Sequence, residues 1–399
     1  MKKQILLFVL SALFISCCDE PIDDSIVDNI INPPDDSALL WKPGSDLGNP
    51  LKPYSQTNSN LVSATVHKLL EYNGELYVGG DFQVIGGQII PYLAKWDGTN
   101  WSAVAQVNGP VEDMIVFQDK LYIQVDEVEL PQGIYDYNKI YSWDGNSLNE
   151  LQLSHDFVNV TTYAVSPFED GISRSEQWTV HDNKLFVFVK IEEWSAFALL
   201  WWDGGQSWNF AADFNEYHGV LKSYQGQLYS TKLGVGNGEV FGLFRFNGDF
   251  DNYQQSQGWE NVTGNVINDP KIYTLQEYEN KLIVGGDFET IGGIQASNIA
   301  AFDGSSWSTF GNWPYETYEL HVFNNKLYAS FFFGNFNGLD AERVASFNGS
   351  TWDSLLYNLS EFDIPSDGNK NTLQFYQNHL YFGGNNTVYG TNNFIKLEQ

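Results

Sequence analysis

The chain has 399 residues, with 20 Lys and Arg against 50 Asp and Glu, so its formal net charge is −30. Aromatic residues make up 16% of it, which excludes a chain that is disordered overall. The negative charge excludes nucleic acid as an expected partner, and the adjacent Cys17 and Cys18, the only cysteines, exclude a disulfide-based scaffold.

The first residues predict an export signal. Lys2 and Lys3 precede an apolar stretch, residues 5–15, that is too short to span a bilayer. Ser16 and Cys17 follow it and resemble the lipobox of bacterial lipoproteins, in which the cysteine sulfur receives a lipid. We therefore expect a signal peptide over 1–16 and lipidation of Cys17, with Cys18 as the alternative. An ordinary signal peptide, or an uncleaved anchor, is the other interpretation.

Residues 17–37 predict a lipidated cysteine followed by a flexible tether. Seven residues of this segment are acidic, none is basic, and Pro33-Pro34 interrupts it. Acidic residues directly after a lipidated cysteine resemble the surface-export signal of Bacteroidetes lipoproteins. The resemblance implies a lipid anchor in the outer membrane, which is then the membrane partner, and exposure at the cell surface. Periplasmic orientation remains the alternative.

One unit is repeated along the rest of the chain. It contains a polar turn followed by a Leu and, further on, an aromatic residue, Asp or Asn, and Gly, usually followed by a Trp. The repeated leucines are Leu76, Leu121, Leu185, Leu228, Leu282, Leu327 and Leu380. Each unit divides into four short strands joined by tight turns, which is typical of a propeller blade.

The last unit is incomplete. It provides three predicted strands, Thr372–Tyr376, His379–Gly383 and Asn393–Leu397, and then the chain ends. The stretch 37–42 belongs to no unit of its own, so we expect it to supply the fourth strand. The prediction is an all-β domain over 38–399, a seven-bladed β-propeller of four-stranded antiparallel blades that an N-terminal strand closes.

Two units carry a family resemblance. Leu76–Trp101 and Leu282–Trp307 resemble the repeats of kelch-type propellers and the central domain of galactose oxidase, and are most similar to secreted Bacteroidetes propellers and fungal cortical polarity-marker proteins. The resemblance implies a fold and little chemistry. Galactose-oxidase chemistry needs a Cys cross-linked to a Tyr, and the propeller segment contains no Cys, so a copper radical oxidase is excluded.

No cofactor is predicted. The six histidines lack metal-ligand spacing. Gly pairs such as Gly79-Gly80 are expected to allow close blade packing or a bulge as the strand exits. Asp81 and Asp287 are expected to cap loops, with a calcium or sugar contact as the alternative, and residues 247–252 resemble a short calcium loop.

Ligand binding is predicted at one rim of the propeller. Chain length varies most in the segments 126–137, 155–176, 231–238, 333–341 and 357–369, which connect strands at the same rim. The aromatic residues nominated for ligand contact are Tyr135, Tyr137, Trp178, Trp194 and Trp313. The tryptophans of the repeat itself are expected to pack between blades.

These patterns favour a non-catalytic binding or interaction module for a glycan or a protein. One alternative is a glycan-active hydrolase or lyase with carboxylates near the propeller axis. A second alternative is an accessory subunit of an outer-membrane complex.

Overall fold

The structure is a computed structural model of the whole chain. It divides into two compact units, Met1–Leu40 and Trp41–Gln399, and every residue with a described placement lies in the second unit. The described residues are 42–43, 65–128, 136–151, 162–164, 178–191, 196–205, 208–214, 219–235, 238–246, 258–264, 270–311, 313, 315–336, 339–354, 372–383 and 394–398. The predicted signal peptide and tether therefore lie outside the described residues.

Six blades are each built from one continuous segment of chain, as mostly four-stranded antiparallel sheets. Blade 1 is β2 (Thr65–Tyr72), β3 (Glu75–Asp81), β6 (Leu93–Trp96) and β7 (Trp101–Ala103). Blade 2 is β8 (Val111–Phe117), β9 (Lys120–Val128), β10 (Asp136–Trp143) and β11 (Leu148–Leu151). Blade 3 is β12 (Thr162–Ala164), β13 (Trp178–His181), β14 (Lys184–Ile191), β15 (Ala196–Trp202) and β16 (Asn209–Phe214).

The second half of the chain repeats this arrangement. Blade 4 is β17 (Leu221–Tyr224), β18 (Gln227–Val235), β19 (Gly238–Phe246) and β20 (Trp259–Asn261). Blade 5 is β21 (Lys271–Tyr278), β22 (Lys281–Asp287), β25 (Ile299–Phe302) and β26 (Trp307–Thr309). Blade 6 is β27 (Thr317–Phe323), β28 (Lys326–Phe336), β29 (Leu339–Phe347) and β30 (Trp352–Ser354).

A further sheet is assembled from both ends of the described chain. Its order is β1 (Lys42–Pro43), β33 (Phe394–Glu398), β32 (His379–Gly383) and β31 (Thr372–Tyr376). We call it the terminal sheet. Lys42 pairs with Glu398 and Pro43 with Leu397, antiparallel.

The predicted number of seven blades therefore needs correction, because continuous segments of the chain provide six. The remaining incomplete unit does not make a blade by itself, and it acquires its fourth strand only from the N-terminal side. The pairing of the two ends that the sequence predicted is present, but that strand is Lys42–Pro43 rather than residues 37–42.

In the blades built from one segment, the innermost strand is the first strand in the chain, except in the mixed blade 3, where β12 and β13 both pair with β14. In the terminal sheet the innermost strand is β31. These strands contact one another in the order β2, β8, β13, β17, β21, β27 and β31, and β31 contacts β2 again. They surround a common axis, and each begins at the same end of that axis. We call that end the strand-start end.

Apolar side chains between neighbouring sheets form the core. The tryptophans of the repeat are largely buried, as predicted; examples are Trp96 at 2%, Trp101 at 6% and Trp208 at 4% exposure. Trp96 and Trp101 pack with ring centroids 5.1 Å apart, and Trp202 and Trp208 stack at 5.8 Å. The aromatic content thus fills the space between sheets.

In the two units that resemble each other most, the Gly-Gly segment allows close approach of neighbouring backbone and side chains. A Cβ on Gly79 would lie 2.4 Å from Val111 of the next blade, and a Cβ on Gly80 would lie 2.1 Å from the carbonyl oxygen of Thr65. Only glycine allows these approaches. The expectation that the pair permits close blade packing is confirmed.

The same units carry a small hairpin between their second and third main strands. The hairpins are β4 (Val84–Ile85) with β5 (Gln88–Ile89), and β23 (Thr290–Ile291) with β24 (Ile294–Gln295). Their turns are Gly-Gly pairs with positive φ. Among the described residues, no helix has the length and apolar character that crossing a membrane requires.

Candidate functional site

One side chain from every sheet lies at the same level along the axis. In each sheet, the second strand carries the repeated Leu, and the next residue pairs with a residue of the innermost strand. That innermost-strand residue is the one meant; in blade 1, for example, Tyr77 follows Leu76 and pairs with Leu70. This axial layer consists of Leu70, Ile115, Thr179, Lys222, Gln276, His321 and Gln374. All of them except Thr179 remain partly exposed, although they belong to the innermost strands, so water reaches this level.

Polar contacts connect members of the axial layer. The Lys222 Nζ of blade 4 donates to Gln276 Oε1 of the neighbouring blade 5 at 3.4 Å. The His321 ring stacks on Phe375 of the terminal sheet, with centroids 5.9 Å apart. Burial among protein atoms, together with the positive charges of Lys222 and Lys68, lowers the pKa of His321 to about 4. His321 is therefore a neutral imidazole at physiological pH.

An ion pair lies two residues closer to the strand-start end. The Lys68 Nζ is 3.1 Å from Asp113 Oδ1, and the two side chains are 17% and 2% exposed. The Met114 backbone N–H also donates to Asp113 Oδ1, at 2.7 Å. Burial raises the pKa of Asp113, and the charge of Lys68 opposes that rise. This pair joins blade 1 to blade 2 next to the axis.

Four innermost strands are interrupted by a β-bulge at equivalent positions. The ladder shifts between Val66 and Lys68, Val111 and Asp113, Ile272 and Thr274, and Thr317 and Glu319. The residues left without a ladder partner are His67, Glu112, Tyr273 and Tyr318. We call these the bulge residues. Bulges often redirect a side chain next to a functional site.

The bulge residues of neighbouring blades contact each other in two pairs. The His67 Nδ1 is 3.0 Å from the Val111 carbonyl oxygen and 3.4 Å from Glu112 Oε1, so Nδ1 carries a hydrogen that it donates. Both of these side chains are more than nine-tenths buried. In blades 5 and 6 the rings of Tyr273 and Tyr318 stack, with centroids 5.3 Å apart and planes 5° from parallel. One side of the strand-start end therefore holds a buried His–Glu pair, and the other holds a stacked aromatic pair.

Two of the nominated ligand residues prove to be core residues. Trp178 is 3% exposed and packs with Phe117 and Tyr122 between blades 2 and 3. Trp313 is 4% exposed, and its Nε1 donates to Thr317 Oγ1 at 2.8 Å. Neither presents an open ring face to a ligand, because both fill space between sheets outside the tryptophan positions of the repeat. The structure thus places both in the core, and their nomination as ligand-stacking residues stays a prediction.

Of the other three nominated residues, the structure describes the backbone of one, Tyr137. Tyr135 and Trp194 lie outside the described residues, and Tyr137 lies in β10, where it pairs with Glu127. Parts of four predicted rim loops are strand instead. β9, β18 and β28 extend to Val128, Val235 and Phe336, and β12 lies within 155–176. Residues 155–161, 165–176 and 357–369 lie outside the described residues.

The bulge residues were not nominated from the sequence, although a signal for them exists. Each follows a residue that is buried in the ladder and precedes a polar residue, as in Val66-His67-Lys68-Leu69 and Ile272-Tyr273-Thr274-Leu275. Two successive residues between apolar ones break the period of two that a regular strand requires. The break was visible in the sequence, but it does not reveal which blades are neighbours.

No group of three or more His, Cys, Asp or Glu that could hold a metal ion occurs among the described residues. Asp81 and Asp287 end the second strands of blades 1 and 5, where they pair with Thr65 and Lys271. Residues 247–252 lie outside the description. The calcium alternative stays a prediction.

Comparison with known proteins supports the fold. No family model matches the chain, and no curated protein matches it. Among solved structures, the chain is similar to the extracellular domain assigned to a one-component system of B. thetaiotaomicron, with a TM-score of 0.50 and 9% sequence identity. The match covers 89% of this chain but only 40% of that one. At this identity the likeness shows a β-propeller fold alone, and the kelch and polarity-marker resemblances remain predictions.

Proposed function

We propose that this protein is a non-catalytic binding module for glycans, held at the bacterial outer surface, and that the ligand binds at the strand-start end of the axis. The observation that carries the proposal is the convergence of bulge residues from four blades at that end, where the Tyr273–Tyr318 pair is partly exposed and the His67–Glu112 pair is buried. Aromatic faces pack on the C–H faces of sugar rings, and the buried contact of His67 with Glu112 joins the bulges of blades 1 and 2 at the same end.

Charge limits the kind of glycan. The chain carries 50 acidic residues against 20 basic ones, and the lysine next to the strand-start end, Lys68, is already paired with Asp113. A polyanionic glycan would have to overcome this field, whereas a neutral one would not.

A surface location supports the same function. The similar solved structure is an extracellular domain. On our proposal the Cys17 lipid anchors the protein to the membrane through the acidic tether. A Cys17→Ala variant should lose acyl label in cells fed a radiolabelled fatty acid and leave the membrane fraction, whereas Cys18→Ala should keep both. Equal labelling of Cys17→Ala and the unaltered chain would refute anchoring at Cys17.

The binding proposal is tested with the chain lacking its leader and carrying Cys17→Ser and Cys18→Ser. We expect it to retain immobilised glycans on an array and to release no reducing ends or unsaturated products from the retained glycans. Turnover that rim carboxylate variants abolish would favour the hydrolase or lyase alternative instead. Absence of any retained glycan, together with a stoichiometric protein partner from detergent-solubilised membranes, would favour the accessory-subunit alternative.

A further inference from the structure

The stacked pair Tyr273 and Tyr318 joins the innermost strands of blades 5 and 6 near the strand-start end. Its members occupy the bulge position of neighbouring blades, with planes only 5° from parallel. Both residues are partly exposed, while the residues just before them, Ile272 and Thr317, are 5% and 0% exposed. Each bulge thus places a partly exposed tyrosine in a strand where the preceding residue is buried.

Buried contacts between blades 5 and 6 hold the strands that carry this pair. The Trp313 Nε1 donates to Thr317 Oγ1 at 2.8 Å, and the Leu320 backbone N–H donates to Thr274 Oγ1 at 3.2 Å, across blades 5 and 6. A Cβ on Gly285 would lie 2.6 Å from Thr317 Cγ2, so the glycine lets the two strands approach. These contacts fix the backbone on which both tyrosines stand.

The orientation of Tyr318 is fixed as well. Its hydroxyl donates to Glu316 Oε2 at 2.9 Å, and its ring lies parallel to that of Tyr273. A side chain held at both its ring and its hydroxyl loses little conformational entropy when a ligand packs on it.

We propose that the Tyr273–Tyr318 stack is the platform on which the glycan of the proposed function binds, and that the sugar it takes is an uncharged pyranose. This rests on the proposed function. In a parallel stack each ring has one face toward its partner and one face away, and the away face is electron-rich, which suits the slightly positive C–H face of a pyranose. Glu316 and Glu319 flank Tyr318 in the chain, so a uronate or a sulfated sugar would meet like charge.

The test uses isothermal titration of the unlipidated chain, Cys17→Ser and Cys18→Ser without its leader. The probes are neutral gluco-, manno- and galacto-oligosaccharides of four to six units, with heparin and alginate oligosaccharides as anionic probes. We expect at least one neutral series to bind and the anionic probes not to bind. Tyr318→Ala should weaken the neutral binding by about tenfold or more, because the stack is lost, whereas Tyr318→Phe should change it by less than about threefold.

A matched control is available on the same strand. Phe323 stacks on Phe375 with centroids 4.1 Å apart and planes 3° from parallel, but five residues further along β27. At ~3.3 Å per residue it stands roughly 16 Å from Tyr318, toward the other end of the axis. Phe323→Ala should therefore leave affinity unchanged even if it lowers stability.

The possible failures are distinguishable. Neutral binding that survives Tyr318→Ala in a chain with an unchanged circular dichroism spectrum, or binding restricted to anionic probes, would overturn the platform but leave the binding module standing. Absence of binding to every glycan, neutral or anionic, would overturn both proposals.

Discussion

His321 shows how a side chain can be reached by water and still be poorly solvated. It lies in the axial layer, where protein atoms surround it on nearly all sides and Lys222 and Lys68 add positive charge. Both conditions disfavour the imidazolium, so its pKa falls to about 4. The equivalent residues in blade 5 and the terminal sheet are Gln276 and Gln374, which never carry a charge.

This predicts a pH dependence of stability. The unfolded chain binds a proton at His321 below about pH 6.5, whereas the folded chain does so only below about pH 4. Stability should therefore be unaffected by His321 above pH 6.5 and should fall as the pH drops from 6.5 to 4, by at most ~3 kcal/mol.

His321→Gln introduces a glutamine, as at Gln276 and Gln374 of the neighbouring sheets. It should reduce the loss of stability between pH 6.5 and 4. Urea unfolding at half-unit steps of pH measures it, with the unaltered chain as reference. The carboxyls of Asp97, Asp144 and Asp303 do not confuse the result, because turn N–H groups lower their pKa values and their contribution is lost only at more acidic pH. Identical slopes for both chains between pH 6.5 and 4 would contradict the assignment.

Among elements, the small hairpins illustrate how one motif supports an outer strand. In blade 5 the turn Gly292-Gly293 lies against Trp307, which begins β26. The Trp307 Nε1 in turn donates to the Val262 carbonyl of blade 4 at 2.8 Å. The hairpin therefore helps to position a contact between two blades, and the corresponding Gly86 lies against Trp101 in blade 1.

The two glycines of this turn should respond differently to substitution. Gly292 has φ +59 and a Cβ there would lie 2.0 Å from Trp307 Cδ1, while Gly293 has φ +80 with nothing within 4 Å. Gly292→Ala should cost about 2–4 kcal/mol, from strain and overpacking together, and Gly293→Ala about 1 kcal/mol from strain alone. Denaturant unfolding of the two variants checks the order, and equal losses would show that contact with Trp307 is unimportant.

Turns also connect successive sheets. The tyrosine that ends an innermost strand donates its hydroxyl to a turn carbonyl of the next sheet: Tyr72 to Asp119, Tyr224 to Asn280, and Tyr376 to Gly74, at 2.7–2.9 Å. The third of these bonds runs from the terminal sheet back to blade 1. The same tyrosine hydrogen bond therefore joins successive blades and also joins the terminal sheet to blade 1.

At the scale of the whole molecule, the terminal sheet connects the last blade to the first. The Leu69 backbone N–H of blade 1 donates to Thr372 Oγ1 at 3.2 Å, and Tyr381 packs in the same cluster as Trp96. On the other side, Phe375 stacks on Phe323 of blade 6. The outer edge of the sheet is covered by β1, where Pro43 is tolerated because an edge strand can lack one donor.

Removing β1 should weaken the closure. A chain that begins at residue 45 loses the pairing of Lys42 and Pro43 with β33 and exposes an unpaired strand edge. We expect it to be less stable by ~1–3 kcal/mol and to form oligomers, compared with a chain that begins at residue 37. Thermal unfolding and size-exclusion chromatography test this, and matching behaviour of the two truncations would argue against a role of β1.

The all-β class, the repeated four-stranded unit and the structural role of its tryptophans could all be predicted from the sequence. These features follow from local order, since period-two strands, Asn-Gly turns and glycine pairs act within one unit. The sequence also indicated that both ends of the chain share a sheet, because an incomplete unit leaves an edge that needs a partner.

Which side chains meet near the axis depends on how the sheets pack and could not be predicted from the sequence. His67 meets Glu112 and Tyr273 meets Tyr318 across about 45 residues of chain, because neighbouring sheets bring equivalent bulges together. The burial of Trp178 and Trp313 was decided in the same way. Contacts between sheets depend on the register and spacing of whole blades, and no local pattern in the sequence specifies which face of a tryptophan another sheet will cover.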